Sequence, residues 1–348
     1  MAEINIGLVG AGVIGKKHAL AVENSSNCKL AAIVDVTTEA KKHARALGVP
    51  FFASLEQLFQ GRLVDGVILA TPSDLHKNQG VLCAKNNIPA LIEKPLATTI
   101  SEAEALVTIA KETGIPIISG HYRRFNKQIE SARNVIQTGE IGRLIGVSAI
   151  WAMKKHNEYY DVDWRTKKGG GPVLTNLIHD IDCLRWICGD IETVTAHVSN
   201  ETRGFEVEDS AAITMQFSGG ALGSIFLTDA GPSPWSFEAS TGENQDFAHL
   251  GNCCYRFIGT EGSLDFPKMG LWKYPSSDRA AWHFPMLKTQ KVIGPGSPLV
   301  SQVEHFGKVI NNEEEPRSSA RDAANTLSAT LAVLEAAKAG KVVSPRKI

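Results

Sequence analysis

The sequence has no excess of either charge. It contains 36 Lys and Arg residues against 37 Asp and Glu residues, which gives a formal net charge of -1. Proteins whose main partner is nucleic acid or an anionic membrane carry a basic excess, so we expect neither partner. The hydrophobic fraction of 43% and the charged fraction of 21% are those of an ordinary globular protein.

Long apolar runs are also missing. No stretch reaches the roughly 18 apolar residues that a membrane-spanning helix requires. At the N-terminus, Glu3 and Asn5 interrupt the apolar pattern, which is not typical of a signal peptide. We therefore expect a cytoplasmic protein.

Cysteine is scarce, and its spacing is uninformative. No two of the six cysteines form a Cys-x-x-Cys pair, so a zinc site has little support. A disulfide framework is unusual in a chain of this length without a secretory signal. We predict reduced structural thiols and no metal site.

The chain is long enough, at 348 residues, to predict two domains. Over the first 121 residues, short apolar runs alternate with helical patterns, the last of which takes Ser101 as its N-cap and Glu104 as the capping-box partner. Such alternation predicts a parallel sheet covered by helices on both faces. The predicted strands are 4–9, 29–34, 67–70, 90–92 and 115–119, and the predicted helices include 15–24, 38–47 and 101–113.

The pattern changes after about residue 120. Longer strands and segregated helices predict an α+β second domain with a largely antiparallel sheet, and the turn at 218–220 predicts a hairpin. We expect domains at 1–121 and 122–348, and leave open whether the C-terminal helix packs back on the first. The predicted strands are 145–153, 193–198, 210–217 and 223–228, and the predicted helices are 129–137, 173–188, 299–310 and 321–339.

A glycine-rich turn follows the first predicted strand. The segment Gly10-Ala11-Gly12-Val13-Ile14-Gly15 is a G-x-G-x-x-G pattern that opens a helix. In this context Gly10 permits the tight turn, Gly12 lets a pyrophosphate approach the backbone, and Gly15 allows close packing of helix on strand. The pattern predicts a dinucleotide site in a Rossmann domain.

The choice of dinucleotide depends on Asp35, about 20 residues past the last glycine, at the end of the second predicted strand. A carboxylate at this position accepts hydrogen bonds from ribose hydroxyls and repels a 2′-phosphate. No arginine follows, because the next residues are Val36, Thr37 and Thr38. These residues favour NAD and make NADP the less favoured cofactor.

Further candidate residues lie at or shortly after the ends of predicted strands. Lys94, in Glu93-Lys94-Pro95, emerges at a strand end where ligands of parallel sheets bind, although a surface lysine is an equal alternative. Thr71-Pro72 ends another strand and is predicted to line the cofactor cleft. His76 is a candidate for a ribose contact, and a capping or surface role is equally open.

A polar line is predicted on the helix that follows Gly169-Gly170-Gly171-Pro172. Thr175, His179 and Asp182 stand at i, i+4 and i+7, on one face of an α-helix, with an apolar stripe opposite. A histidine suits proton transfer from an alcohol because its usual pKa is near neutral. A lone histidine is more often a core or solvated residue, so the pattern alone does not decide.

Taken together, GAGVIG, EKP and GGG with His-x-x-Asp resemble the glucose–fructose oxidoreductase/inositol dehydrogenase/MocA family over essentially the whole chain. The resemblance implies a Rossmann domain followed by a domain with a large, mostly antiparallel open sheet, through which members form dimers or tetramers. It implies an NAD(P)-dependent oxidoreductase acting on CH–OH groups of sugars and polyols.

The resemblance also implies roles for individual residues. Lys94 and His179 match the catalytic lysine and histidine, and Asp182 matches a residue that braces the helix. Many members carry Asp where this chain has Thr175, which leaves the identity of the base open. Cofactor-lining positions are Thr71, Pro72, His76, Glu93 and Arg165, and candidate substrate positions are Tyr122, Arg123, Trp164, Thr175 and Asn176.

Sugar sites commonly offer aromatic faces and hydroxyl-binding groups. Aromatic candidates are Trp151, Tyr159, Tyr160, Trp164 and Trp235, and the segment 235–244 is a candidate wall of the cleft or interface. Lys154, Lys155, Arg123, Arg124 and Arg165 are candidates for contact with an acidic sugar, with solvated surface as the alternative.

The leading hypothesis is an NAD-dependent dehydrogenase of a sugar or polyol. Two alternatives stay open: a non-catalytic NAD-binding regulator on the same fold, and a glycosidase-like enzyme that uses NAD for transient oxidation. The first alternative predicts the loss of Lys94 and His179, both of which are present.

Overall fold

The computed structural model describes residues 3–348. Over these residues the chain folds as two compact units, and the strands are β1 (Ile4–Val9), β2 (Cys28–Val34), β3 (Phe51–Phe52), β4 (Gly66–Leu69), β5 (Ala90–Ile92), β6 (Ile117–Ser119), β7 (Leu144–Ala152), β8 (Ile191–Ser199), β9 (Ser210–Phe217), β10 (Leu222–Thr228), β11 (Tyr255–Gly259), β12 (Ser263–Phe266), β13 (Gly270–Lys273) and β14 (Leu287–Gln290).

The helices over the same residues are α1 (Val13–Glu23), α2 (Thr38–Ala46), α3 (Leu55–Gln60), α4 (Ser73–Lys85), α5 (Ile100–Thr113), α6 (Lys127–Gln137), α7 (Ile178–Cys188), α8 (Phe237–Thr241), α9 (Pro298–Ile310) and α10 (Ala320–Ala339). Among residues 3–348, no helix has the length and apolarity needed to cross a membrane.

The first unit holds a parallel sheet with strand order β3-β2-β1-β4-β5-β6. Strand β1 lies between β2 and β4, so the order reverses beside β1. Ligands of open parallel sheets bind at the carboxyl ends of the strands at such a reversal. The predicted α/β Rossmann architecture is confirmed.

The first unit also recruits a late segment of the chain, since it comprises residues up to Phe125 together with 296–327 and Ile348. Val303 and Phe306 of α9 are fully buried in the same core as Ile6 of β1. A Cβ on Gly66 would lie 2.6 Å from the Ile310 side chain, so this glycine makes room for α9. The unit therefore differs from the expected domain 1–121 because it takes an apolar helix face from residues 298–310.

The second unit comprises 126–295 and 328–347. Its sheet has the order β14-β13-β12-β11-β7-β10-β9-β8. Neighbours pair antiparallel except β7 and β10, which run parallel. The predicted mostly antiparallel sheet and the β9–β10 hairpin are both confirmed.

Burial alternates along the strands of this sheet. In β9, every second residue from Ala211 to Phe217 is buried, as expected when one face packs on a core. The opposite face exposes large apolar side chains, with exposed fractions of 62% for Leu222, 48% for Phe226 and 49% for Ile258.

The predicted capping box of α5 is wrong. The N-cap of α5 is Thr99, and its capping-box partner is Glu102, whereas the sequence predicted Ser101 and Glu104. The Thr99 side chain accepts the Glu102 amide N–H, and the Glu102 carboxylate accepts the Thr99 N–H at 3.2 Å. Two overlapping S/T-x-x-E patterns were available, and the earlier one captures both backbone donors.

Candidate active site

In the first unit, the three glycines of the turn have different surroundings. Gly10 has φ +87°, and a Cβ there would lie 2.7 Å from the Ala70 carbonyl oxygen. A Cβ on Gly15 would lie 2.0 Å from the Gly10 carbonyl oxygen, so only glycine lets α1 pack this closely. At Gly12, by contrast, a Cβ would meet nothing within 4 Å.

Gly12 is also the N-cap of α1, and no side chain caps this helix end. The first N–H groups of a helix have no partner within the helix, and they carry the positive end of its dipole. Open space at Gly12 and uncapped N–H groups form a cradle that fits a pyrophosphate. The residues present therefore fit a dinucleotide.

Asp35, which follows β2, is tied to the same turn. Its two carboxylate oxygens accept N–H hydrogen bonds from Ala11 and Thr37, each at 2.8 Å. Burial raises the pKa of Asp35, but these bonds outweigh burial, and the pKa lies below its usual value. An ionised carboxylate retains acceptor capacity for ribose hydroxyls. Beside it, Val36 exposes 90% of its surface, an apolar platform that the sequence analysis did not single out.

We predict that Asp35→Ser weakens NAD binding about tenfold and narrows the preference for NAD over NADP. The substitution removes a charged acceptor of ribose hydrogen bonds and the repulsion toward a 2′-phosphate. Isothermal titration with both dinucleotides measures the change, and Glu39→Gln, an exposed acid on α2, is the matched control. Tighter binding of NADP than of NAD by the unmodified protein contradicts the assignment of Asp35.

Lys94 follows β5 and is anchored through its neighbour. Glu93 is 5% exposed; one carboxylate oxygen lies 2.7 Å from His18 Nε2, and the other accepts the Lys94 N–H at 2.9 Å. Burial raises the pKa of Glu93, but the His18 hydrogen bond and nearby positive charge hold it below its usual value. Because His18 lies on α1, the backbone of Lys94 is fixed relative to the helix that begins at the glycine turn.

His76 of α4 joins the two loops that follow β4 and β5. The ring is 1% exposed, with Nδ1 2.9 Å from the Pro95 carbonyl oxygen and Nε2 2.9 Å from the Thr71 carbonyl oxygen. Both nitrogens face backbone oxygens of the protein, so the ring braces the Thr71 and Lys94 loops. The Lys94–Pro95 peptide bond is cis.

The turn Tyr122–Phe125 follows β6 and is more buried than its composition predicts. Arg123 is 2% exposed and Arg124 is 1% exposed. Arg124 donates to the Arg317 carbonyl oxygen at 2.6 Å and pairs with Asp322 at 2.5 Å. Arg124 thus fixes residues 317–322 of the first unit and has a structural role. The sequence had suggested a contact with an acidic sugar, with solvated surface as the alternative.

In the second unit, the glycine run leads into the predicted site helix. A Cβ on Gly170 would lie 2.3 Å from the Trp164 carbonyl oxygen, and one on Gly171 would lie 2.2 Å from a Glu208 carboxylate oxygen. That same oxygen accepts the Val173 N–H at 3.0 Å, and burial raises the pKa of Glu208. The prediction that these glycines permit close approach is confirmed.

We predict that Gly171→Ala destabilises the second unit by about 1–3 kcal/mol, because the new methyl group must displace Glu208 or the start of the helix. Thermal unfolding measures this loss. Gly219→Ala is the control, since a Cβ there meets nothing within 4 Å. Combining Gly171→Ala with Glu208→Ala should recover part of the loss, and a full loss in the double variant would contradict the proposed clash.

The site helix is not α-helical throughout. Its first turn, Val173–Leu177, is a π-helix, and α7 continues from Ile178. The i, i+4, i+7 line from Thr175 assumed α-helical spacing, so the prediction of one continuous polar face is wrong through this turn. His179, 8% exposed, and Asp182, 1% exposed, both lie on α7, while Thr175 Oγ1 lies 3.0 Å from the Gly171 carbonyl oxygen.

Segment 153–166 contributes a cluster that the sequence analysis underestimated. Lys155 is only 9% exposed and pairs with buried Asp229 at 3.2 Å, so it is not solvated surface. Asp229 also accepts the Tyr160 hydroxyl at 2.6 Å and the Arg203 Nε–H at 3.2 Å. The one sequence signal for Asp229 was an acid placed directly after an apolar strand.

Other candidates from this region have distinct environments. The Arg165 guanidinium lies 4.0 Å over the Tyr159 ring and donates to the Tyr159 carbonyl oxygen at 2.7 Å, which holds the 157–166 segment together. Trp164 is 52% exposed. Trp151, in contrast, is fully buried and donates to Glu238 at 2.9 Å, so of its two predicted roles, a sugar-stacking face or a core residue, the structure shows the core residue.

The segment 235–244 is largely core. It forms α8, in which Phe237 is fully buried and Glu238 is 7% exposed. The Trp151 N–H donates to the Glu238 carboxylate and so helps to accommodate an acid in this buried position. The polar–aromatic composition includes this buried hydrogen bond, and a role of the segment in a cleft wall or an interface stays a prediction.

Comparison with known proteins extends these observations. Residues 4–121 match the model of the Gfo/Idh/MocA oxidoreductase family, NAD-binding Rossmann fold, and residues 129–265 match the C-terminal domain of the same family. The chain is 31% identical over 231 residues to the 2,7-anhydro-N-acetylneuraminate hydratase of Escherichia coli K12, covering 64% of this chain and 61% of that protein. This match thus spans about three fifths of the relative.

Two further proteins match over nearly the whole chain. The 1,5-anhydro-D-fructose reductase of Ensifer adhaerens is 25% identical, and the match covers 96% of each chain. The structure of a levoglucosan dehydrogenase in complex with NADH has a TM-score of 0.81 at 22% identity, covering 99% of this chain and 100% of that one. The latter likeness is one of fold. With both domain models matched, the chain belongs to the Gfo/Idh/MocA oxidoreductase family, and its first unit is the NAD-binding Rossmann domain of that family.

Proposed function

We propose that the protein is an NAD-dependent dehydrogenase that oxidises a hydroxyl group of a sugar, polyol or sugar derivative. The anchoring of Lys94 carries this proposal. Through Glu93 and His18, the lysine is fixed relative to α1, whose N-terminal cradle fits the cofactor pyrophosphate. A cation held beside a hydride acceptor is suited to binding an alcohol oxygen that gains negative charge.

Lys94 and His179 are the proposed catalytic residues. NAD, when bound, accepts the hydride from the substrate carbon. The Lys94 ammonium donates a hydrogen bond to the reacting oxygen, and His179 is the proposed general base for the hydroxyl proton. Thr175 replaces the aspartate of many family members, so a second carboxylate base is not part of this proposal.

The proposed binding residues divide between cofactor and substrate. We propose that the cofactor-binding residues are Gly10, Gly12, Val13, Ile14, Gly15, Asp35, Thr71, Pro72, His76, Glu93, Lys94 and Arg165. Of these, His76 also braces the loops that follow β4 and β5. The proposed substrate-binding residues are Tyr122, Arg123, Trp164, Thr175, Asn176 and His179.

A substrate panel tests the function. The purified protein is incubated with NAD and, separately, myo-inositol, scyllo-inositol, levoglucosan and a set of monosaccharides, with NADH absorbance as the readout. Turnover of at least one alcohol, abolished by Lys94→Ala, is the expected result. No turnover of any alcohol, together with identical behaviour of the Lys94→Ala variant, would refute the proposal.

A redox-neutral reaction is the second candidate, because one relative is named a hydratase of an anhydro sugar. Hydration has no net oxidation, so an enzyme that used NAD for it must return the hydride within the turnover. Incubating the protein with 2,7-anhydro-N-acetylneuraminate and with aryl glycosides, and following the products by mass spectrometry, distinguishes the two. Product without NADH accumulation favours this second function.

The exposed face of the second unit's sheet supports an oligomer, which we propose to be a homodimer or homotetramer. This face exposes apolar surface at Leu222, Phe226 and Ile258, and contiguous patches of this kind mark association sites. Sedimentation equilibrium measures the state, and a monomer at micromolar concentration would refute it. We further propose a cytoplasmic location and a small-molecule substrate, without a nucleic-acid partner.

A further inference from the structure

Asn176, in the π-helical turn, has an amide group of fixed orientation. Its Oδ1 accepts a hydrogen bond from Lys155 Nζ at 2.7 Å. An ammonium group can only donate, so the amide oxygen must face Lys155 and the NH2 group must face the other way. Thr175 Oγ1 lies 3.0 Å from the same oxygen, but a hydroxyl can donate or accept, so the Lys155 contact alone fixes the orientation of the amide.

Lys155 is itself held rigidly. Its ammonium pairs with Asp229 at 3.2 Å and lies 4.5 Å over the Tyr159 ring, while its backbone N–H donates to the Asp229 carbonyl oxygen at 2.9 Å. Arg203 donates to the Lys155 carbonyl oxygen at 3.1 Å. Both ends of this residue are therefore fixed to the segment that follows β10.

The cost of burying the Lys155 ammonium indicates that this residue has a role beyond packing. Burying an ammonium group is unfavourable, and burial lowers the pKa of Lys155 although Asp229 opposes the shift. Arg203 already pairs with Asp229 at 3.2 Å, so the carboxylate has a partner without Lys155. The remaining strong contact of the ammonium is the Asn176 amide oxygen.

We infer that the Asn176 amide donates to an oxygen atom of the substrate and that Lys155 is a positioning residue that sets the amide for this contact. Asn176 is half-buried and stands three residues before His179, the proposed base. A fixed NH2 group selects an acceptor oxygen, such as a neighbouring hydroxyl or ring oxygen of a polyol or anhydro sugar. This inference rests on the proposed function and adds a hydrogen-bond donor that contributes to substrate specificity.

A double-mutant cycle tests the link. Asn176→Ala and Lys155→Met are each expected to raise KM for the best substrate of the panel about 10-fold or more, because a hydrogen bond in a built site is lost or misplaced. Since Lys155 acts through Asn176, adding Lys155→Met to Asn176→Ala should have little further effect. The affinity for NAD should stay unchanged in all three variants.

Controls separate positioning from stability. Lys268→Met removes an exposed lysine from the turn between β12 and β13 of the same unit and should leave KM unchanged. Asn176→Asp keeps the size of the side chain and its pairing with Lys155 but lacks the donor, so it should resemble Asn176→Ala. If Lys155→Met fails to fold, as judged by thermal unfolding, the two Asn176 variants carry the test.

Two outcomes would overturn the inference alone: an unchanged KM in both Asn176 variants, or additive effects of the two substitutions in the cycle. A wild-type protein that oxidises no member of the panel instead refutes the proposed function, and the inference with it. The failures are distinguishable, because the first two require an active wild-type enzyme.

Discussion

Replacing Lys94 with methionine is expected to lower kcat by about 10²- to 10⁴-fold, the range found when one group that stabilises charge or transfers a proton is removed. Methionine retains most of the length of the side chain and removes the ammonium donor. The fixed backbone, held by the bond from Lys94 N–H to Glu93, should survive the change. The affinity for NAD should fall far less than kcat, since the glycine cradle is untouched.

Steady-state kinetics on the best alcohol of the panel, with isothermal titration of NAD, measures both quantities. Lys85→Met, an exposed lysine at the end of α4, is the matched control. His179→Asn should lower kcat and also flatten its pH dependence, because the proposed base is lost. A Lys94→Met variant with wild-type kcat would remove this residue from the mechanism.

The second large effect concerns two glycines of the same turn. Substitution of one is expected to lower both thermal stability and NAD affinity, and substitution of the other is expected to lower only NAD affinity. Gly15→Ala places a methyl group 2.0 Å from the Gly10 carbonyl oxygen, which no side-chain movement relieves because the obstacle is backbone. We expect this overpacking to lower the free energy of unfolding by about 1–3 kcal/mol or more. We also expect loss of NAD binding. Gly12→Ala meets open space, so it should melt like the wild type.

Gly12→Ala should nevertheless weaken NAD binding about 10-fold or more, since its methyl group occupies the space through which the pyrophosphate reaches the helix N–H groups. Differential scanning calorimetry with and without NAD reads both effects on each variant. Equal affinities for NAD in the Gly12→Ala variant and the wild type would show that the cofactor does not lie on this turn.

The elements that periodicity could predict were those with strong local signals. Strands β1 and β9 match their predicted bounds, and the bounds of α9 and α10 differ from prediction by one residue at the start. Strands β11 to β14 were not predicted, because they are short, and β14 is exposed along its length. Their pairing comes from neighbours in the sheet, which a single-sequence pattern does not contain.

The candidate site residues likewise divide into those that a motif predicts and those that depend on long-range pairing. Gly10, Gly15 and Asp35 follow from a motif whose spacing is a geometric requirement, so sequence alone identified them. Lys155 and Asp229 lie 74 positions apart, and neither belongs to a motif. Their partnership arises where β7 and β10 run side by side, a pairing between strands distant in sequence. The π-helical turn likewise has no signal in the residues Val173–Leu177.

The recruitment of α9 by the first unit has a consequence for synthesis of the chain. Domains of a nascent protein commonly fold in order, the N-terminal one first. Here the first unit needs residues 296–327, and the second needs 328–347. Translation must therefore reach residue 327 before residues 296–327 can join the first unit, and residue 347 before the second unit has residues 328–347. The apolar surface that Val303 and Phe306 later cover has to be kept from aggregation throughout that interval.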